Sequence, residues 1–258
     1  MNRTLAQITR SGPVLLIDSA SALVQTGLLR AGRPPLWETQ TAEAGTAIFS
    51  CTEKLLARAA LTLDDIAAFI FCDGPGSMLG IRTVAVALRA WRVVRGGRPV
   101  HSYCSLALVA HHLLATENAR DLSLIADARR DTWHHVGIDA AGRVSALRRV
   151  PTAQLAGALV TPGHFRNWTP LPEGVRVTPY DIAAMLTPPA PASALAAAPT
   201  PADAPTLTGV PTLAAAPTPA GASALADAPL FAPAPEPDAF LHEEPVYQTW
   251  TPRVHQAG

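Results

Sequence analysis

The strongest constraint on how this chain folds is the decapeptide DGPGSMLGIR at residues 73–82, which closes an apolar, strand-like run and opens a helical one. Gly74, Gly76 and Gly80 supply backbone freedom where a positive φ or a close approach is needed, Pro75 fixes one φ, and Ser77 is placed to cap the helical run. A turn at such a junction either holds a ligand or sets the angle of its helix. GPGSMLG lacks the Lys-Ser/Thr ending of a Walker loop, and its glycines do not spell the GxGxxG dinucleotide pattern. A generic anion site ahead of a helix N-terminus stays open.

Around this loop the pattern is α/β. Residues 13–18 form a short buried-strand run, and 23–30 and 35–41 add two more strands joined by an Ala-Gly turn, so a three-stranded meander opens the chain. Ile48, Cys51, Leu55 and Ala59 recur at helical steps over residues 44–60, and residues 66–72 read as a central strand leading into the loop. Residues 81–95 and 105–115 are helical in pattern, with a short strand expected at 99–101. The order is βββαβαβα. A second lobe begins near Leu122, with paired strands at 122–126 and 132–138, a further meander at 142–150, and weak helical fragments at 155–160 and 180–185.

The helix at 81–95 is apolar around much of its wheel. Val84, Val86, Ala87, Ala90, Trp91, Val93 and Val94 cover about half the circumference at roughly 100° per residue. Arg82, Arg89, Arg92 and Arg95 hold the other side, where Ile81, Ala85 and Leu88 intrude. So much apolar surface implies cover on more than the sheet-facing side, either within the domain or from a partner helix. If Ile48 and Leu88 lie on the partner side, a charge at either position weakens partner binding more than it lowers stability.

Composition excludes several classes. With 258 residues, 48% hydrophobic and 16% charged, the chain can bury a sizeable core, and a net charge of +0 leaves no electrostatic footprint for unaided nucleic-acid binding. Cys51, Cys72 and Cys104 are far apart in apolar contexts and read as free thiols of a reducing compartment. The adjacent pairs His111-His112 and His134-His135 lack metal-ligand spacing, and no GxSxG elbow marks a nucleophile. No export signal or spanning segment is read, so the expected location is the cytoplasm, with no membrane partner.

From about Thr187 to Pro237 the sequence turns to Ala, Pro and Thr with near-repeats such as LAAAPTP, a composition that blocks helix and ladder alike. It reads as a linker, and deletion of residues 190–235 is expected to leave fold and partner binding intact. Residues 238–258 regain Phe240, Leu241, Tyr247 and Trp250 and read as a docking tail. The divisions are then an extension at 1–12, a first lobe at 13–118, a second at 119–186, the linker at 187–237 and the tail.

Several segments, in order, resemble the bacterial TsaB (YeaZ) family of tRNA threonylcarbamoyladenosine biosynthesis. VLLIDSAS at 14–21 is similar to that family's opening strand and IDTS-type turn, and LTLDDIAAFIFCDGPGSMLGIR at 61–82 to its segment ending in GPGSFTGLR. ADARRDTWHHVGID at 126–139 is similar to its DARRGEVY strand pair, and EEPVYQTW at 243–250 to its PxYLR tail. The resemblance implies a two-lobed, actin-like (ASKHA, RNase H-like) α/β fold without catalysis of its own. It implies a TsaD-like catalytic partner carrying the metal-binding histidines, and a TsaE-like ATPase. ATP and magnesium are then needed only by the complex, and tRNA is met only through it. Pairing is expected through the first two helices, at Ile48, Cys51, Leu55, Ile81, Arg82, Ala85, Leu88, Arg89 and Arg92, and a homodimer through the same helices stays open.

Met78 and Leu79 stand where the family has Phe and Thr, which removes a hydroxyl from the loop and favours a structural role for it. Two other readings remain. One is a small-molecule kinase of the same superfold using Asp18 and the glycine loop, and the other is a diverged interaction scaffold.

Overall fold

The computed structural model describes residues 1–186 and 228–240. The three opening strands form as expected, β1 (Val14–Asp18), β2 (Val24–Leu29) and β3 (Leu36–Gln40), after a short helix α1 (Leu5–Thr9) closed by a Thr4/Gln7 capping box. Helix α2 (Ala44–Ala59) leads to β4 (Ala68–Gly74), and the glycine loop turns the chain into α3 (Met78–Arg95). The helix starts at Met78, three residues before the first apolar repeat, because the Ser77 hydroxyl caps it by accepting from the Gly80 N–H. Strand β5 (Val100–Cys104) runs directly into α4 (Ser105–Glu117).

The second lobe contains β6 (Leu122–Asp127), β7 (Thr132–Ile138), β8 (Arg148–Pro151), β9 (Ala158–Pro162), β10 (Arg176–Thr178) and α5 (Ile182–Leu186). Of residues 155–160, expected as a helical fragment, none is helical: 155–157 are irregular and 158–160 begin β9, which pairs in parallel with β6. Alternation of large and small apolar residues over so short a run fits either period, and the ladder beside β6 decides it.

The two sheets share one plan. In the first, the order β3-β2-β1-β4-β5 combines an antiparallel meander with β4 and β5 parallel to β1. In the second, β8-β7-β6-β9-β10 repeats that order and those directions. This repeated plan is the two-lobed actin-like architecture. The helices differ: the second lobe replaces the crossover after its meander with a single 3-10 turn at Thr152–Gln154. Helix α4 lies between the lobes, touching β4 and β5 on one side and β6 and β7 on the other. Leu106, Leu108, Val109, Ala110 and Leu113 are accordingly all buried, so α4 is the helix covered on two faces.

A further strand, β11 (Ala232–Pro233), is antiparallel to β5 and closes the far edge of the first sheet. Phe231 is fully buried, edge-on to Tyr103 with ring centroids 5.9 Å apart, and its backbone bridges to Arg3. Residues 228–237, which fall inside the stretch assigned to the linker, thus pack on the first lobe. Phe231 occupies a core site, and Ala232 and Pro233 lie on a strand edge, where proline is tolerated. The rest of that linker and the EEPVYQTW segment lie outside the described residues.

Candidate functional site

The glycine loop is locked against the first strand's turn. The Ser77 N–H donates to the Ala20 carbonyl at 2.7 Å, the Ser105 hydroxyl to the Pro75 carbonyl at 2.6 Å, and the Phe240 N–H to the Asp73 carbonyl at 2.7 Å. Gly76 has φ +153°, and a Cβ there would meet the Ala20 carbonyl oxygen at 2.4 Å; a Cβ on Gly80 would meet that of Ser19 at 2.4 Å. These glycines serve close backbone packing. The 310 Å³ cleft beside the α3 N-terminus is lined by Ser19, Ser21, Ser77 and Thr83, but also by Glu43, whose charge opposes a phosphate.

Asp18 is fully buried at the base of this turn. Its carboxylate accepts from the Tyr103 hydroxyl at 2.5 Å, the Tyr180 hydroxyl at 2.7 Å and the Ala20 N–H at 3.0 Å. Burial pushes its pKa up, against the pull of those bonds, and burial pushes both tyrosines well above their ordinary value. Such a carboxylate ties the lobes together, since Tyr180 precedes α5, and it has no open face for metal-phosphate. The kinase reading's use of Asp18 is therefore corrected by two tyrosines that no sequence motif connects to it. Gln25 adds a second tie, donating to the Tyr180 carbonyl and accepting from the Ile182 N–H, both at 2.9 Å.

Of the side chains expected to face a partner, Ile48, Cys51, Leu55, Ile81, Ala85 and Leu88 are instead inside the chain's own core, each at most 2% exposed. A charge at Ile48 or Leu88 is thus expected to unfold the protein rather than release a partner. Arg82 and Arg89 are exposed, and Arg92 is half-buried, donating to the Pro235 carbonyl. The exposed face of α3 carries Leu79, Arg82, Val86, Arg89, Ala90, Val93 and Val94, an arc of about 140° at helical spacing. Leu79 is 76% exposed, Val86 55% and Val93 86%; Phe49 of α2 extends the surface, edge-on to Trp91 at 5.9 Å.

The helix and its excess apolar surface are legible in the sequence, but the buried face is rotated from the expected one: Val84 and Ala87 are inside as expected, whereas Val86, Ala90, Val93 and Val94 are exposed. Valine and alanine occur on both sides of the wheel: the core takes Ile81, Val84, Ala85, Ala87 and Leu88, while Val86, Val93 and Val94 stay outside. The larger Ile81 and Leu88 were the signal available.

Among the described residues no cluster of three or more His, Cys, Asp or Glu side chains could hold a metal, and no helix is long and apolar enough to cross a membrane. Between the lobes, a 400 Å³ cavity is lined by Asp73, Ser102, Cys104 and His111 and covered by Leu230 and Phe240. Burial raises the Asp73 pKa to about 6 and that of Cys104 to about 11, and it lowers that of His111. Burial thus favours the protonated thiol of Cys104.

Residues 43–146 match the family model of TsaD, tRNA N6-adenosine threonylcarbamoyltransferase. No curated protein matches the chain. Two solved structures from Pseudomonas aeruginosa, one of YeaZ and one of an uncharacterized protein with similarity to peptidase YEAZ, are each 20% identical. They cover 58% of this chain and 75% of their own, with a TM-score of 0.49. The activator of 2-hydroxyisocaproyl-CoA dehydratase from Clostridium difficile, with bound ADPNP, is 17% identical, covering 54% of this chain and 45% of its own at a TM-score of 0.32.

Proposed function

We propose that this TsaB/YeaZ-like chain is a noncatalytic accessory subunit of tRNA adenosine-37 threonylcarbamoylation. In this reading it docks through the outer face of α3 on a TsaD-like catalytic subunit that works with a TsaE-like ATPase. The TsaD-family match over residues 43–146 and the resemblance of the 14–21 and 61–82 segments support the pathway. One observation carries the role: the apolar row Leu79, Val86 and Val93, interleaved with Arg82 and Arg89, lies uncovered on a long helix whose other face is already packed. An apolar centre with an arginine rim is the composition of a protein interface. ATP and magnesium then serve the assembled complex, and tRNA is presented to the partner's site.

The test is direct. Affinity purification of the full chain from its native cell should recover the TsaD-like subunit, and depletion should remove threonylcarbamoyladenosine from tRNA. Complete loss of the chain with normal modification would overturn the reading. The double variant Val86→Glu, Val93→Glu should weaken partner binding at least about a hundredfold, since charges are depleted at interface centres, while leaving the melting temperature near that of wild type.

A further inference from the structure

At one end of the second sheet, three chain segments supply four arginines and an exposed tryptophan, with two of the arginines against its ring. The turn after β6 supplies Arg129 and Arg130, the start of β8 supplies Arg149, and the loop after β9 supplies Arg166 and Trp168, whose side chain is 56% exposed. The guanidinium carbon of Arg166 lies 3.8 Å from the centroid of the Trp168 ring and that of Arg129 4.9 Å, so the indole organises both cations. Arg149 reaches the same turn, donating to the Thr132 hydroxyl at 2.7 Å and the Ala128 carbonyl at 3.1 Å.

The acids at this place accept from backbone and hydroxyl donors rather than from a guanidinium. Asp127 accepts from the backbone N–H groups of Arg129, Trp168 and Thr169, which pins the turn to the tryptophan loop. Those bonds outweigh its burial and hold its pKa below the ordinary value, although burial alone would raise it. Asp131 accepts from the Thr152 hydroxyl at 2.6 Å. Among the described residues the ion pairs are Arg58–Glu38, Arg95–Asp64, Arg143–Asp139 and Arg176–Glu117, and none of the four clustered arginines is in that set. Arg129, Arg130 and Asp131 also hold consecutive positive φ angles of +64°, +52° and +57°, a left-handed run without glycine. Backbone strain of this kind is retained where the surroundings enforce it.

We infer that this end of the second lobe is an RNA contact surface that takes phosphates on Arg129, Arg130 and Arg149 and stacks unpaired bases on the Trp168 and Arg166 planes. Preorganised guanidinium forks without a carboxylate partner recognise phosphate oxygens, and an exposed indole offers a face to a base that is not already stacked. An acidic peptide would use the charge and leave the rings idle. A single-stranded loop uses both, and loops rather than duplexes present free bases. The choice of RNA rests on the tRNA-modification reading, whereas the anion-and-stacking chemistry stands on the side chains alone. The net charge of +0 for the whole chain makes this a local contact, weak by itself and additive to whatever RNA surface a partner brings.

The experiment uses the full chain and a fluorescein-labelled RNA stem–loop, read by anisotropy across a salt series. About three phosphate contacts predict a slope of about −2 in log K against log salt, since each contributes roughly 0.7 for a single strand. Arg129→Ala with Arg166→Ala should weaken binding at least tenfold and flatten the slope. Trp168→Ala should weaken it several-fold, with recovery in Trp168→Phe, and these exposed changes should leave the melting temperature near wild type. Unchanged affinity in the double variant, no salt-dependent binding by wild type, or displacement of the RNA by polyglutamate at equal charge would each overturn the inference. Capture of the TsaD-like subunit by the same double variant is scored separately. Retained capture with lost RNA affinity supports the surface, while lost capture by wild type would sink the accessory reading and leave the RNA result standing.

Discussion

A methyl group on Gly80 would sit 2.4 Å from the Ser19 carbonyl oxygen, and no flexible side-chain end is there to yield. Gly80→Ala is therefore expected to destabilise the chain by about 2–3 kcal/mol despite the higher helix propensity of alanine, as measured by urea denaturation. Gly97→Ala, with open space around its Cβ, is the control and should be near neutral. Asp73 carries the pH dependence at this scale. Burial lifts its pKa to about 6 in the folded chain, above the unfolded value, so the folded state holds a proton that the unfolded state has released. The resulting penalty is absent below about pH 4, grows as pH rises and is complete above about pH 6. Two units correspond to at most about 3 kcal/mol, and the partial exposure of this carboxyl reduces that to about 1–2 kcal/mol. Asp73→Asn should gain stability over wild type by that amount between about pH 4 and about pH 7, in denaturant melts at both ends. A flat difference would mean that the carboxyl is better solvated than its surroundings suggest.

Helix α2 ends on Ala60 at φ +53°, with the Leu61 N–H returning to the Leu56 carbonyl at 2.9 Å. That closure normally employs glycine, because a Cβ costs about 1–2 kcal/mol in the left-handed region. Ala60→Gly should raise stability by about 0.5–1 kcal/mol once the freer unfolded chain is counted, visible as a higher melting temperature. Elements with one clear period were legible in the sequence: β1, β4, α2 and the paired strands β6 and β7 fall where expected. Elements whose identity depends on a distant neighbour were not. Residues 158–160 are strand beside the parallel edge that β6 offers, and the outward face of α3 depends on which side the sheet claims. The glycine loop itself was legible down to the Ser77 cap, while its purpose needed Ala20 and Ser19 to be seen against it.

For the whole molecule, the repeated order of the two sheets could not be read from sequence, because the second lobe has only a 3-10 turn where the first has a crossover helix after its meander. What joins the copies is equally dispersed: Asp18, Tyr103 and Tyr180 are far apart in the chain yet share one carboxylate. The covering segment at 228–240 changes the expectation for the deletion of residues 190–235, which would remove Phe231 and β11 along with the rest. Phe231→Ala alone should cost about 3–5 kcal/mol, the usual effect of emptying a phenylalanine site, by equilibrium unfolding. The strand that receives this cover also has a history during synthesis. Strand β5 ends at Cys104, and its antiparallel neighbour starts at Ala232, about 130 residues later. At ribosomal rates of roughly 5–20 residues per second, the β5 edge waits about 6–25 seconds for its partner. For that interval the nascent chain offers an open row of backbone donors and acceptors to any neighbouring strand.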